Sequence, residues 1–218
     1  MKAPFADMVL LWYETVAKQL FNLSEADVSI GSNEEIEQIL GKNLQKYPRS
    51  TLFLYYKGRY YRSVLRRLDL AQECFQQAFE FASQTRELQL IAVYELGWLH
   101  IMNLKYEEAF ACFKRLSEQS KWSTSFHKYV CAVMNGSLNR IKEANENVKE
   151  GLNSLKHKNN PIELFATKRL EYFKKNPIKT KDICEFMCVE LNFLWVCLPY
   201  CDRTKLEKML QSMQNISI

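Results

Sequence analysis

An all-α stack of helical hairpins is the fold class this sequence predicts, and three observations predict it. Apolar residues recur at helical spacing along almost the whole chain, turn-forming residues are scarce, and one helical segment recurs 38 residues further on. Only six glycines and five prolines occur in 218 residues, about half the average share, whereas β-rich folds need many such residues for their turns. With 47% apolar residues the chain can bury a continuous core without disulfide staples.

The elements follow in order. The opening segment MKAPFADMVLLWYETVAKQLF places Asp7, Glu14 and Lys18 within its apolar stretch, so it reads as an amphipathic helix, not as a signal sequence or a membrane span. Ile36 and Leu40 belong to a degenerate helical pair that closes at Pro48. The first clear pair joins LFLYYKGRYY to a helix whose apolar stripe is 71, 74, 75, 78, 79 and 82, the i, i+3, i+4, i+7 pattern of one helix face. The second joins a helix over 88 to 102, apolar almost all round, to one with the stripe 106, 109, 110, 113 and 116.

Ala71, Cys74 and Phe75 of the first pair recur as Ala109, Cys112 and Phe113 of the second. The upstream helices carry Gly58 and Gly97, offset by 39 instead of 38, which one extra loop residue in the first copy accounts for. A glycine here lets the two helices of a hairpin cross closely, with Ala109 and Phe113 filling the space opposite Gly97. A third, weaker pair uses 124 to 136 and 141 to 155, with Ala132 and Ala144 in the Gly and Ala positions. Three more helices follow over 162 to 175, 181 to 198 and 203 to 214, punctuated by Asn160-Pro161, Asn176-Pro177 and Leu198-Pro199. The total is about eleven helices, with looser connections at 22 to 33 and 156 to 161.

Leu96-Gly97, Ala109 twelve residues after the glycine, and then Phe113 resemble the tetratricopeptide repeat pattern. The longer words LLWYETV, KYPRSTLFLYYKGR, ELGWLHIMNLKYEEA, SKWSTSFHKYV and PIELFATKRLEYF resemble the tetratricopeptide repeat protein 39 family, related to fungal inclusion-body clearance proteins. The resemblance covers nearly the whole chain and implies a right-handed α-solenoid. Within it, 1–48 is an N-terminal degenerate pair, 49–123 holds two repeats, and 124–218 continues the same solenoid with the third pair and the last helices. It also implies a short form or fragment of the family.

Composition narrows the chemistry. A net charge of +5 and a pI near 8.7 come from charges that alternate in sign, too mild for a nucleic-acid footprint. Seven cysteines without loop-forming spacing point to reduced thiols and a cytoplasmic chain. The sequons at Asn22, Asn135 and Asn215 then carry little weight. Cys184-x-x-x-Cys188 and Cys197-x-x-x-Cys201 resemble a twin cysteine motif. A single helix over 181 to 198 would separate Cys188 and Cys197 by about 13 Å, too far for a bridge or a shared ion. Free core thiols and no metal are therefore expected. The three histidines, His100, His127 and His157, stand apart without a motif, and no phosphate loop, nucleophile elbow or metalloprotease pair occurs. No catalytic residue and no cofactor are expected.

By the repeat pattern, the first helix of each pair lines a concave groove. This places Tyr55, Tyr56, Arg59 and Arg62 beside Tyr94, Glu95, Trp98 and Met102, with Phe126 and Tyr129 from the third pair. Aromatic rings and a few arginines are suitable anchors for a protein partner, a helix or an extended segment. The positions of the two-carboxylate clamp read Tyr55, Arg59, Glu95, Phe126 and Val130, which excludes a chaperone-tail reader. Because 88 to 102 is apolar nearly all round, the groove is either open to a partner or filled by the chain's own last helices. Two basic stripes, Arg59, Arg62, Arg66 and Arg67, then Lys168, Arg169, Lys174, Lys175, Lys179 and Lys181, read as solvated faces. A non-enzymatic scaffold is the leading expectation. A peripheral membrane or lipid-droplet-associated regulator, acting in lipid handling or inclusion clearance, is the second.

Overall fold

The computed structural model describes residues 4–18, 33–155 and 160–214. His157, Asn22, Asn215 and the looser connections lie outside the described residues, except for Asn33, Asn160 and Pro161 at the ends of those connections. Of the described residues, 82% are helical and none is in a strand. They form an all-α helical repeat of eleven α-helices: α1 (Pro4–Trp12), α2 (Asn33–Lys46), α3 (Thr51–Ser63), α4 (Leu68–Phe81), α5 (Arg86–Met102), α6 (Tyr106–Gln119), α7 (Thr124–Ser137), α8 (Ile141–Asn153), α9 (Pro161–Lys175), α10 (Lys181–Leu194) and α11 (Arg203–Gln214). The chain divides into two compact units, Met1–Ala92 and Val93–Ile218.

In the first unit, α3 and α4 form the hairpin expected from the sequence. A Cβ placed on Gly58 would come within 2.6 Å of Phe75 Cε1, so only a glycine lets α3 approach α4 this closely. Leu11, Ile36, Leu40, Phe53 and Tyr60 make a shared core beneath α1, α2 and α3, which accounts for Ile36 and Leu40. After Trp12 the backbone widens into a π-helical turn over Tyr13–Ala17. The carbonyl of Thr15 in that turn accepts from Arg59 Nε at 3.2 Å and Nη2 at 2.9 Å. Asn43 Nδ2 similarly donates to buried Asp7 at 2.8 Å.

The second unit is organised around α7, which packs against α6, α8, α9 and α10. Every α7 residue from Ser125 to Ser137 except Lys128 is buried, the polar Ser125, His127, Asn135 and Ser137 included. Ala132, Ala144 and Val148 are among the buried residues of α7 and α8. Gly97 repeats the role of Gly58: a Cβ there would meet Phe113 Cε2 at 2.7 Å and Cys112 Cβ at 3.3 Å. Phe113, as expected, and Cys112 make the closest approaches to the glycine.

The hairpin turns carry the repeat as clearly as the helices do. Leu104, Asn139 and Val196 each have a left-handed backbone, with φ of 57°, 60° and 53°. The amide that follows each one reaches back five residues, Lys105 to His100 at 2.9 Å, Arg140 to Asn135 at 2.8 Å and Cys197 to Asn192 at 2.8 Å. This is the Schellman helix ending. In the first copy Arg66 takes the left-handed position, and Arg67 N–H reaches six residues back to Tyr61 O at 2.8 Å. That longer turn is the extra loop residue behind the 39-against-38 offset.

One helix differs from its expected extent. The segment read as continuous over 181 to 198 ends at Leu194, where the Schellman turn reverses the chain ahead of a single 3-10 turn, Leu198–Tyr200. The separation of about 13 Å between Cys188 and Cys197, which required one helix through Cys197, therefore has no basis once the helix ends at Leu194. All seven cysteines are unbridged, and five are buried.

Candidate functional site

The eight groove residues divide between the units, four in each. In the first, Tyr55 and Tyr56 are half-buried and touch edge to face at 5.3 Å, and Tyr55 also tilts onto Phe75 at 6.0 Å. Arg59 and Arg62 are buried, 8% and 6% exposed. The basic stripe read at Arg59, Arg62, Arg66 and Arg67 is thus no solvated face, since Arg59 has turned inward to the Thr15 carbonyl. Of the outer pair, Arg67 is matched by Asp69 at 2.8 Å.

In the second unit, Trp98, Met102 and Glu95 are buried, with Trp98 only 1% exposed. Trp195, the residue at the α10 C-terminus, covers Trp98. Its indole stacks on Trp98 with centroids 5.0 Å apart and on Phe126 at 4.8 Å, and meets the edge of Phe165 at 5.9 Å. Indole Nε1 donates to Tyr94 Oη at 2.9 Å. Burial pushes the Tyr94 phenol up to about 12, so it stays protonated and keeps a lone pair for the indole. Of the two occupants left open by the sequence, the chain's own segment is the one seen against Trp98. Phe126 joins this aromatic box, whereas Tyr129 is wholly buried against Phe165.

Trp195 and Phe165 were not among the sequence candidates. Trp195 sits inside the run LNFLWVCLPY, which reads as ordinary helix until the Schellman turn is known. The box walls come from three helices: Tyr94 and Trp98 from α5, Phe126 from α7 and Phe165 from α9.

The titratable groups of this region suit packing. Burial lowers His127 to about 4 and also lowers His100, while their Nδ1 atoms are buried without a hydrogen-bond partner. Burial raises the thiols of Cys131 and Cys184 to about 12, which leaves them protonated and poorly nucleophilic. Among the described residues, no group of three or more His, Cys, Asp or Glu side chains is placed to hold a metal ion, and no helix is long and apolar enough to cross a membrane.

A model of the Iml2/Tetratricopeptide repeat protein 39 family matches residues 1–217. The chain belongs to that family. No solved structure matches it. For this member of the Iml2/Tetratricopeptide repeat protein 39 family, the close crossings at Gly58 and Gly97 suit a helical repeat protein of the tetratricopeptide type.

Proposed function

We propose that the chain is a non-enzymatic scaffold or adaptor of the cytoplasm that mediates protein–protein interactions by offering apolar surface to a partner helix or extended segment. The observation that carries this reading is the outer face of α1. Its four exposed residues, Phe5, Ala6, Val9 and Trp12, are all apolar, and Phe5, Val9 and Trp12 are 73%, 49% and 44% exposed. Their i, i+4, i+7 spacing makes one continuous stripe, the form in which an amphipathic helix meets a groove or another helix. Scattered exposed apolar residues are ordinary, but a contiguous stripe without a charge marks an interaction surface. On α11 of the other unit, Leu206, Leu210 and Met213 repeat the same spacing.

The groove residues belong to the proposal as two further contact patches, Tyr55, Tyr56, Arg59 and Arg62 in one unit and Tyr94, Glu95, Trp98 and Met102 in the other, of which Tyr55, Tyr56 and Tyr94 are partly exposed while Trp195 covers Trp98. Cross-linking and affinity capture with wild type and with Val9→Lys/Trp12→Glu provide the test. The variant should keep its melting temperature and lose its cross-linked partners. An unchanged partner set would refute the reading, and flotation of the wild type with anionic vesicles would transfer the stripe to a membrane surface.

A further inference from the structure

We propose that the box formed by Tyr94, Trp98, Phe126 and Phe165 is a tryptophan-acceptor site, in which Trp195 is a resident occupant that exchanges for a tryptophan side chain of a partner segment. The inference rests on the protein-binding reading and specifies the partner chemistry. Three features support it.

The first is that three of the four wall rings are braced by rings other than the occupant. Trp98 meets Phe113 edge to face at 5.7 Å and Tyr94 at 6.0 Å, and Tyr94 meets Phe113 at 6.2 Å. Phe165 is held by the Tyr129 ring at 5.5 Å. Removing Trp195 therefore leaves a preorganised apolar cavity, the kind that binds an aromatic molecule in place of the missing side chain.

The second is chemical selectivity. The Tyr94 oxygen accepts the Trp195 indole N–H in a box whose other polar wall atom, Trp98 Nε1, is a donor, so an aromatic ring without an N–H forfeits the one direct hydrogen bond the box offers its occupant. An indole fits where a phenyl ring or an N-methylated indole is penalised.

The third is that Phe193, Leu194 and Val196 add little to the anchorage of Trp195, which rests on buried Leu191, Asn192 and Cys197. Val196 beside it holds a left-handed φ of 53°, a strained conformation for a β-branched residue. Phe193, Leu194 and Val196 stay 67%, 45% and 44% exposed, so the turn has apolar side chains facing water on either side of the seated indole. Undocking relieves the strain and presents those side chains to the incoming segment.

The test uses the full chain. Trp195→Ala should bind indole by calorimetry at least ten times more tightly than wild type, and 1-methylindole about ten times more weakly than indole. A peptide of residues 189–201 should bind the same variant, and its Trp195→Ala counterpart should not. In wild type, hydrogen exchange should show the Val196 and Cys197 amides, bonded to Phe193 O and Asn192 O, opening at least a hundredfold more often than amides of α7. A folded Trp195→Ala protein that ignores indole would overturn the proposal. So would turn amides protected as strongly as those of α7, and this measurement decides alone if the variant does not fold. Failure here while Val9→Lys/Trp12→Glu still abolishes capture removes the box alone. Capture that withstands the α1 substitutions removes the scaffold reading instead.

Discussion

Replacing glycine by alanine at Gly41 and at Gly97 should move stability in opposite directions, although both sit inside helices. Alanine is favoured over glycine in a helix interior by about 1 kcal/mol. At Gly41 an added Cβ finds nothing within 4 Å, so Gly41→Ala should gain nearly that amount. At Gly97 the same methyl lies 2.7 Å from Phe113 Cε2, a contact real Cβ atoms essentially never make, and a tight 3.2 Å from Cδ2. The Phe113 ring is fully buried and is hemmed in by Tyr94, Trp98 and His127, so it has little room to yield. Overpacking of this kind costs about 1–3 kcal/mol, and after the helix-propensity gain of about 1 kcal/mol the net loss for Gly97→Ala should be up to about 2 kcal/mol. In a chain of this size, each kcal/mol moves the melting temperature by about 2–4 °C. Gly41→Ala should therefore melt a few degrees above wild type and Gly97→Ala a few degrees below. Circular dichroism melts and urea titrations of the two variants are sufficient to measure this. Equal shifts of the same sign would refute the close helix crossing at Gly97.

Trp98→Ala, which empties a site only 1% exposed, should cost about 3–5 kcal/mol of folding, whereas Trp122→Ala at 69% exposure should stay within about 0.5 kcal/mol of wild type; matched urea midpoints would show that Trp98 is not core. Arg59→Met leaves the Thr15 carbonyl without its guanidinium and should destabilise by about 1–3 kcal/mol. Arg67→Ala, whose Asp69 partner is exposed, should leave the urea midpoint at the wild-type value. His127 is lowered to about 4 in the fold against about 6.5 in the unfolded chain, so between those values the unfolded chain binds more protons. Its contribution to stability is complete above about pH 6.5 and is lost as the pH falls toward 4, on the order of 3 kcal/mol in all. His127→Gln should flatten that part of the stability-against-pH curve, and an unchanged slope would place the titration elsewhere.

Which parts of the molecule were legible in the sequence depended on the range of the forces involved. Helix positions follow from local periodicity, and the glycine-to-phenylalanine register follows from two copies of one hairpin, so Gly58 facing Phe75 and Gly97 facing Phe113 could be inferred from spacing alone. Even the extra loop residue was visible, as the 39-residue offset now seen in the Arg67-to-Tyr61 turn. The fate of the groove could not be inferred this way. Tyr94 and Trp195 lie 101 residues apart, and nothing local says that an indole late in the chain closes over a tryptophan of α5. The end of α10 was hidden for a related reason. Val196 is a poor left-handed residue, and the turn it occupies is held by the docking of its neighbour Trp195, not by a glycine or asparagine signal.

The sequence by itself therefore determined an all-helical repeat and the glycine-to-phenylalanine approaches at Gly58 and Gly97, because helix propensity, amphipathic spacing and a missing Cβ act over a few residues. Only the tertiary structure decided which aromatic and charged side chains remain at the surface. Arg59 turned inward because a π-helical turn left the Thr15 carbonyl facing it, and Trp98 became core because Trp195 stacked over it. Those outcomes depend on which distant segment reaches a given face, and no local pattern encodes that.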